Sequence, residues 1–288
     1  MHGLVTIVLL AALQFGPVDR SFELEQYSAC RDSLTLMLSR ASGAAERSEV
    51  LWRLSRVSYM LGDAQSSKEE RRARFNEGIA YADEAIRLAP SNINAYMWHC
   101  ANTGYECQTH SLADQAKAVP AMTRDLETIL DKLGRTDCSE AWQALAELFY
   151  AHPLKSKDKA INYARRAVET IPRGELRLST YLYLATLLEK RGWSSSRRAS
   201  EIASDAAKYP SAGPSNTDKT GYWIGSKGAD PKAVWSDRPL RELSDREEAL
   251  AIVRYAWALF EGSSRRTKMD YRDFRALTSF ENILNNNN

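Results

Sequence analysis

The sequence has 288 residues, of which 44% are hydrophobic and 26% are charged. A chain of this length and composition can bury a core, which excludes an extensively disordered protein. The formal net charge is only +2, so the basic excess that usually accompanies nucleic-acid binding is absent and nucleic acid is not expected as a partner. The 14 glycines are thinly spread, which argues against nucleotide-binding loops and tight hairpins and favours a helical fold.

The chain opens with an uninterrupted apolar run from Leu4 to Leu13. A helix that spans a membrane needs about 20 such residues, whereas a shorter run suits the core of a secretory signal. We therefore predict a signal peptide over residues 1–20, a mature chain that starts near Val18 to Phe22, and export to the periplasm or another extracytoplasmic location. One alternative is an uncleaved segment that anchors the protein in a membrane, and no other part of the chain is expected to contact a membrane. The other alternative is a buried first helix or strand of the fold.

A repeated pattern of paired helices follows. Its clearest copy has large residues on a first helix, small residues on a second helix and then a proline: Trp142, Leu145, Ala146, Phe149, Ala160, Ala164, Ala167 and Pro172. The small residues allow the two helices to approach closely. This order of large and small residues is typical of tetratricopeptide repeats.

Three further copies begin at Leu51, Tyr96 and Tyr181. The copy at Leu51 contains the charged stretch AQSSKEERRAR, which we interpret as an insertion of about eleven residues that lengthens its second helix. The copies at Tyr96 and Tyr181 are degenerate. Because every spacing between copies exceeds the regular repeat of about 34 residues, the helix pairs are expected to be irregular.

Outside the repeats, Phe22 to Ser39 reads as one amphipathic helix. Residues 211–243 combine Gly, Pro and Ser with two tryptophans, which predicts an ordered loop folded back on the repeats. Ser244 and Glu247 form a capping box that opens a helix, and a last helix is predicted from Met269 to Leu284 before a frayed asparagine tail. The predicted fold is an all-α, irregular helical-hairpin solenoid of about four pairs over residues 21–210, with two terminal helices in 244–288.

Short motifs of nucleophilic hydrolases, P-loops, dinucleotide sites and zinc peptidases are absent from the sequence, so no catalytic residue, metal site or cofactor is predicted. His99 is predicted to be a buried, hydrogen-bonded structural residue. Four glutamates in charge-rich runs are predicted to be solvated: Glu69, Glu70, Glu247 and Glu248. Among the cysteines, Cys107 could meet Cys138 if their helices pack antiparallel, and the alternative is that all four remain thiols.

The segments LWRLSRVSYMLGD and YADEAIRLAPSNINAYMWHCANTG, together with the charged insertion between them, resemble tetratricopeptide proteins of the regulator-of-microtubule-dynamics type and their exported bacterial relatives. The chain is also similar to the tetratricopeptide component that accompanies some periplasmic TRAP-type solute transporters. The resemblance covers roughly Ser48 to Pro172. It implies a protein that binds through a concave face and has no enzymatic activity.

Carried over from the resemblance, nine first-helix residues would line that concave groove: Trp52, Arg56, Tyr59, Asn94, Met97, Tyr105, Gln143, Glu147 and Tyr150. Aromatic rings mixed with arginine and amides suit the recognition of a protein segment, and a small-molecule ligand is also possible. The alternative is that Trp52, Tyr59 and Tyr150 pack against the neighbouring repeat unit or the C-terminal loop. The predicted function is therefore a binding or scaffold protein; the second candidate is a periplasmic transporter component that binds a small solute or a substrate-binding protein.

Overall fold

A computed structural model describes residues 15–152, 155–228, 231–264 and 266–286. These residues form helices, turns and loops and contain no strand, which confirms the predicted all-α class. They divide into two compact units, the first ending at Ile129 and the second beginning at Leu130. Within the described ranges, no helix combines the length and hydropathy needed to cross a bilayer.

Consecutive helices of the first unit pack as pairs. The helices are α1 (15–23), α2 (Tyr27–Arg40), α3 (Ala44–Asp63), α4 (Lys68–Leu88), α5 (Ile93–Cys107) and α6 (Leu112–Glu127), and a π-helical turn follows over Thr128–Lys132. The α3–α4 pair is the most extensive, and α3 also packs against α5. The charged insertion lengthens α4 as predicted, since α4 begins at Lys68 inside the insertion. Ser67 caps this helix by accepting a hydrogen bond from the backbone N–H of Glu70.

The prediction of a single helix over Phe22 to Ser39 is wrong. The chain breaks between α1 and α2, where Glu25 adopts a left-handed φ of 61°. This turn folds α1 back, so that its apolar side joins a buried cluster with α2 and α3: Phe15, Val18, Cys30, Leu34, Val50, Leu54 and Val57. Of the predicted signal segment, the apolar run Leu4 to Leu13 lies outside the described residues, whereas residues 15–20 are helical and pack in this cluster.

Three helices of the first unit meet at one very close approach. A Cβ at Gly78 of α4 would lie 2.3 Å from the Oδ1 atom of Asn102 on α5, so only glycine fits there without displacing that side chain. The buried Asn102 amide in turn donates to the carbonyl and hydroxyl oxygens of Ser55 on α3, at 3.2 and 3.0 Å. The side chain of Asn102 explains why position 78 must be small.

The second unit contains seven α-helices among its described residues: α7 (Ser139–Ala151), α8 (Lys157–Glu169), α9 (Leu178–Arg191), α10 (Ser195–Lys208), α11 (Asn216–Thr220), α12 (Asp245–Gly262) and α13 (Lys268–Asn286). The α7–α8 pair follows the repeat pattern closely. Trp142, Ala160 and Ala164 are all buried, and the Trp142 ring stacks on that of Tyr163 with centroids 5.9 Å apart.

The fourth predicted pair would have joined α9 to α10, but α9 packs mainly against α12. The buried face of α12 is more apolar than that of α10 and includes Ile252 and Val253. Helix α10 instead packs against the turns of residues 209–242, where Ile202 shares a cluster with Trp223, Ile224, Leu240 and Leu243. The described residues of the segment 211–243 pack on α8 and α10, partly through a 3.1 Å hydrogen bond from the Tyr163 hydroxyl to the Thr217 carbonyl.

A buried ionic cluster ties α12 to α8 and α10. Glu248 is fully buried and accepts hydrogen bonds from Arg165, from Arg198 at 2.5 Å and from the indole of Trp235 at 3.2 Å. The prediction that Glu248 is solvated is therefore wrong, since its partners lie 83 and 50 positions earlier in the chain and leave no local signal. The capping box that Glu247 forms with Ser244 is confirmed.

Candidate binding site

The α3 face of the first unit, which we define as Trp52, Arg53 and Arg56, is covered by α1. The carboxylate of Asp19 binds both arginines, at 3.0 Å from Arg53 and 2.7 Å from Arg56. Burial alone would raise the pKa of Asp19, but the hydrogen bonds and charges of the two guanidinium groups lower it below its ordinary value. An ionised carboxylate held by two cations thus fixes α1 on this face.

Aromatic rings complete the contact between α1 and the α3 face. The Arg53 guanidinium lies 4.1 Å from the ring centroid of Phe15, and that of Arg56 lies 3.7 Å from the centroid of Phe22. Trp52 is buried, and its indole N–H donates to Glu49 at 2.9 Å. The structure therefore places Trp52 and Arg56, two of the predicted groove residues, in contacts inside the first unit.

The other predicted groove residues of the first unit are divided between packing and exposure. Tyr59 and Tyr105 lie with their ring centroids 4.7 Å apart in an aromatic cluster that also contains Phe75 and Trp98. Asn94 is exposed on α5 and Met97 is half-buried. The alternative for Tyr59, packing against the neighbouring repeat unit, agrees with its ring contacts to Trp98 and Tyr105 of α5.

In the second unit, the three predicted groove residues come together on a solvent-accessible surface. Gln143 donates to the exposed Glu147 at 2.9 Å and accepts from Thr180 of α9 at 2.6 Å. Half-buried Tyr150 has the ammonium group of Lys157 at 4.9 Å from its ring centroid. The predicted residues of this unit thus form one continuous surface.

Tyr183 of α9 completes this surface, although it occupies no groove position of the repeat pattern and sequence reasoning missed it. Its pKa is raised by burial and by the neighbouring Glu147 and Tyr150. The hydroxyl groups of Tyr150 and Tyr183 have no hydrogen-bond partner within the described residues. We call Gln143, Glu147, Tyr150 and Tyr183 the α7–α9 face.

The histidine and the cysteines that the sequence singled out make contacts inside the protein. His99 is mostly buried, with Nδ1 at 2.6 Å from Asp125 and Nε2 at 3.4 Å from Asp83, which confirms the predicted structural role. No group of three or more His, Cys, Asp or Glu side chains in the described ranges could hold a metal ion. All four cysteines are free thiols, so the Cys107–Cys138 bridge is not formed.

Paired helices with small residues at their contacts define a protein of the helical-hairpin class. Residues 18–128 match the family model of regulator of microtubule dynamics protein 1-3. Regulator of microtubule dynamics protein 2 of the mouse, Mus musculus, is 26% identical over 102 residues, which cover 35% of this chain and 25% of the mouse protein. The matches support the predicted relationship to this type of protein, and the family match ends just before the boundary of the first unit.

Proposed function

We propose that this chain is a non-enzymatic binding protein that recognises a segment of another protein through the α7–α9 face. The observation that carries the proposal is the convergence of three predicted groove residues with Tyr183 on an accessible surface. This face offers an exposed carboxylate and two tyrosine hydroxyls with unused hydrogen-bonding capacity. Tyrosine rings provide contact area at a low cost in side-chain entropy, and polar groups beside them fix the register of a bound segment.

The similarity of the first unit supports a protein partner. The relatives are named as regulators of microtubule dynamics, so polymerised tubulin is the first partner to test. The matched segment spans only a quarter of the mouse protein, and the α7–α9 face lies outside the family match. In this proposal the second unit therefore supplies the specificity for the bound segment.

The test replaces Tyr150 or Tyr183 with the photoreactive residue p-benzoylphenylalanine and measures crosslinking to polymerised tubulin and then to cell proteins. Exposed Tyr271 of α13 is the matched control position in the same unit. We expect crosslinks from positions 150 and 183 to one shared partner and none from position 271. Tyr150→Ala should also weaken that partner's binding by about 1–2 kcal/mol, and unchanged binding would refute the role of this face.

Export to the periplasm or another extracytoplasmic site is a separate proposal that rests on the apolar run Leu4 to Leu13. Mass spectrometry of the protein isolated from its own cells tests it. A mature chain that begins after the run supports cleavage, whereas a mass that begins at Met1 contradicts cleavage.

A further inference from the structure

Positive charge collects at one end of the second unit, where the chain turns from α7 to α8 and from α9 to α10. The two turns are adjacent, because Asp158 in the first turn of α8 lies 3.2 Å from Arg191 at the end of α9. Three of the cations here are exposed and Lys155 is half-buried. We call the four cations the basic end: Lys155, Lys157, Lys190 and Arg197.

Lys157 and Lys190 flank the ring of Tyr150, which belongs to the α7–α9 face. Their ammonium groups lie 4.9 and 6.0 Å from its ring centroid. Lys157 also donates hydrogen bonds to the backbone carbonyls of Tyr150 and His152, so it is fixed at the end of α7. An ammonium group has three donors, so Lys157 retains one for a ligand. Lys190 retains all three, since it makes no hydrogen bond or ion pair within the described ranges.

The other two cations of the basic end also lie against aromatic rings. Lys155 has its ammonium group 4.7 Å from the ring centroid of Phe149, and the guanidinium of Arg197 lies 4.2 Å from the ring centroid of Trp193. Neither cationic side chain forms an ion pair with another described residue. Contact with a ring face orients a cation but leaves its charge unbalanced.

The acidic side chains near the basic end balance only part of its charge. Asp158 already pairs with Arg191. Glu189 and Glu201 are half-buried acids of α9 and α10, and neither forms an ion pair in the part of the chain that the structure describes. Four cations against these two acids leave a net positive charge that is open to a partner.

An acidic protein segment fits this surface better than a membrane or a nucleic acid. Among the described residues, the exposed large hydrophobic side chains all lie outside the basic end, whereas a membrane-surface site inserts such side chains into the bilayer. The net charge of the chain is only +2, which disfavours a nucleic acid. The basic end is also continuous with the α7–α9 face through Tyr150, so a segment bound on that face reaches it.

Glu147 gives such a segment a direction. It lies on α7 one turn before Tyr150 and accepts a hydrogen bond from Gln143, a further turn away from the basic end. The negative charge of the α7–α9 face is therefore displaced from Lys157 and Lys190. A segment with acidic residues over the basic end and neutral or basic residues over Glu147 complements both charges.

We propose that the segment recognised by the α7–α9 face carries a run of Asp or Glu residues whose carboxylates bind the basic end. The inference rests on the proposed function, because it names the chemistry of the segment that this face recognises. Carboxylates pair with Lys157 and Lys190 on the two sides of Tyr150, in charge-assisted hydrogen bonds that are stronger than neutral ones. Further acids along the segment meet Lys155 and Arg197.

Fluorescence anisotropy with the full chain tests the proposal. The probe is a peptide of alternating Glu and Ser with an uncharged fluorescent label. The same peptide with Gln in place of Glu removes only the charge. We expect the Glu peptide to bind more tightly than the Gln peptide. Its affinity should fall as salt is added, because the attraction is between accessible charges.

The decisive variants are at Lys190, because this exposed lysine has no acid that its loss would leave without a partner. We expect Lys190→Gln to weaken binding of the Glu peptide about threefold and the charge reversal Lys190→Glu to weaken it about tenfold. Lys268→Glu is the matched control, since it changes the net charge equally. Lys268 is exposed at the start of α13, beside the end of α12, whereas the basic end adjoins the start of α12.

Equal binding of the Glu and Gln peptides to the folded protein would overturn the inference. Equal effects of Lys190→Glu and Lys268→Glu would overturn it as well, because the attraction would then be to net charge in general. Binding to vesicles of phosphatidylserine and phosphatidylcholine that Lys190→Glu abolishes, without binding of the Glu peptide, would replace the acidic segment with a membrane surface. A shared partner crosslinked from positions 150 and 183 through a segment without acidic residues would overturn this inference and leave the proposed function intact.

Discussion

The carboxylate of Asp19 lies 2.7 Å from the guanidinium of Arg56, although 37 positions separate the two residues in the chain. This contact places α1 on the α3 face and joins the start of the described chain to the first helix pair. Arg56 is only 15% exposed at its side chain, so the pair is partly shielded from water. Removing either partner leaves a partly buried charge with fewer contacts.

We expect Arg56→Ala to lower the free energy of unfolding by about 1–2 kcal/mol, because it removes one ion pair to Asp19 and the contact with Phe22. Urea denaturation followed by circular dichroism measures the change. Arg40→Ala on the exposed end of α2 is the control and should shift stability by no more than about 0.5 kcal/mol. Equal effects of the two substitutions would show that the Asp19 contact contributes nothing to stability.

Ala164→Trp should destabilise the second unit by at least about 1–3 kcal/mol, because Ala164 is 1% exposed and a ring there overpacks the α7–α8 contact. Thermal unfolding measured by calorimetry gives the size of the effect. Ala258→Trp on the exposed side of α12 provides the comparison with the same added ring. A silent Ala164→Trp would contradict the helix register assigned to this pair.

His99 gives the first unit a pH dependence. Burial alone would lower its pKa, but the hydrogen bond and charge of Asp125, with the charge of Asp83, raise the pKa above its ordinary value of 6.5. The stabilisation from protonated His99 is therefore present below pH 6.5 and is lost as the pH rises through the folded-state pKa. We expect urea midpoints to fall as the pH rises above 6.5 in the parent protein and to fall less in His99→Gln. Parallel pH profiles of the two proteins would refute this.

Asp205 gives the second unit a pH dependence of the same direction at lower pH, because burial raises its pKa from 3.8 to about 6. The folded state then holds a proton that the unfolded state has released, so stability decreases as the pH rises from 3.8 to about 6. We expect Asp205→Asn, which can still accept the hydrogen bond from Asn162, to stabilise the protein above pH 6 by roughly 1–3 kcal/mol. Below pH 3.8 the difference should vanish. Urea titrations at both ends of this range measure it, and an equal or lower stability of the variant at high pH would count against the raised pKa.

Local patterns predicted the helix pairs because the contact within a pair depends on residues three, four and seven positions apart. Trp142, Ala160 and Ala164 were assigned correctly for this reason. The break at Glu25 was missed because a left-handed glutamate has no local signature and follows from packing of α1 against α3. At the candidate site, Gln143, Glu147 and Tyr150 were found from their repeat positions. Tyr183 was missed because it occupies no groove position of the repeat pattern. It lies on α9, and only tertiary packing brings it close to Glu147 and Tyr150 of α7.

The buried position of Glu248 limits how this protein can be shortened. Repeat arrays commonly tolerate the loss of whole helix pairs, since each pair contacts only its neighbours. Here a fragment that ends at Pro210 would keep Arg165 and Arg198 but lose Glu248 and Asp245, the carboxylates that balance their charge. Two arginines would then lose the carboxylates with which they form ion pairs. The second unit should therefore behave as one indivisible folding module, with its last helices as much a part of it as the repeat-like pair at its start.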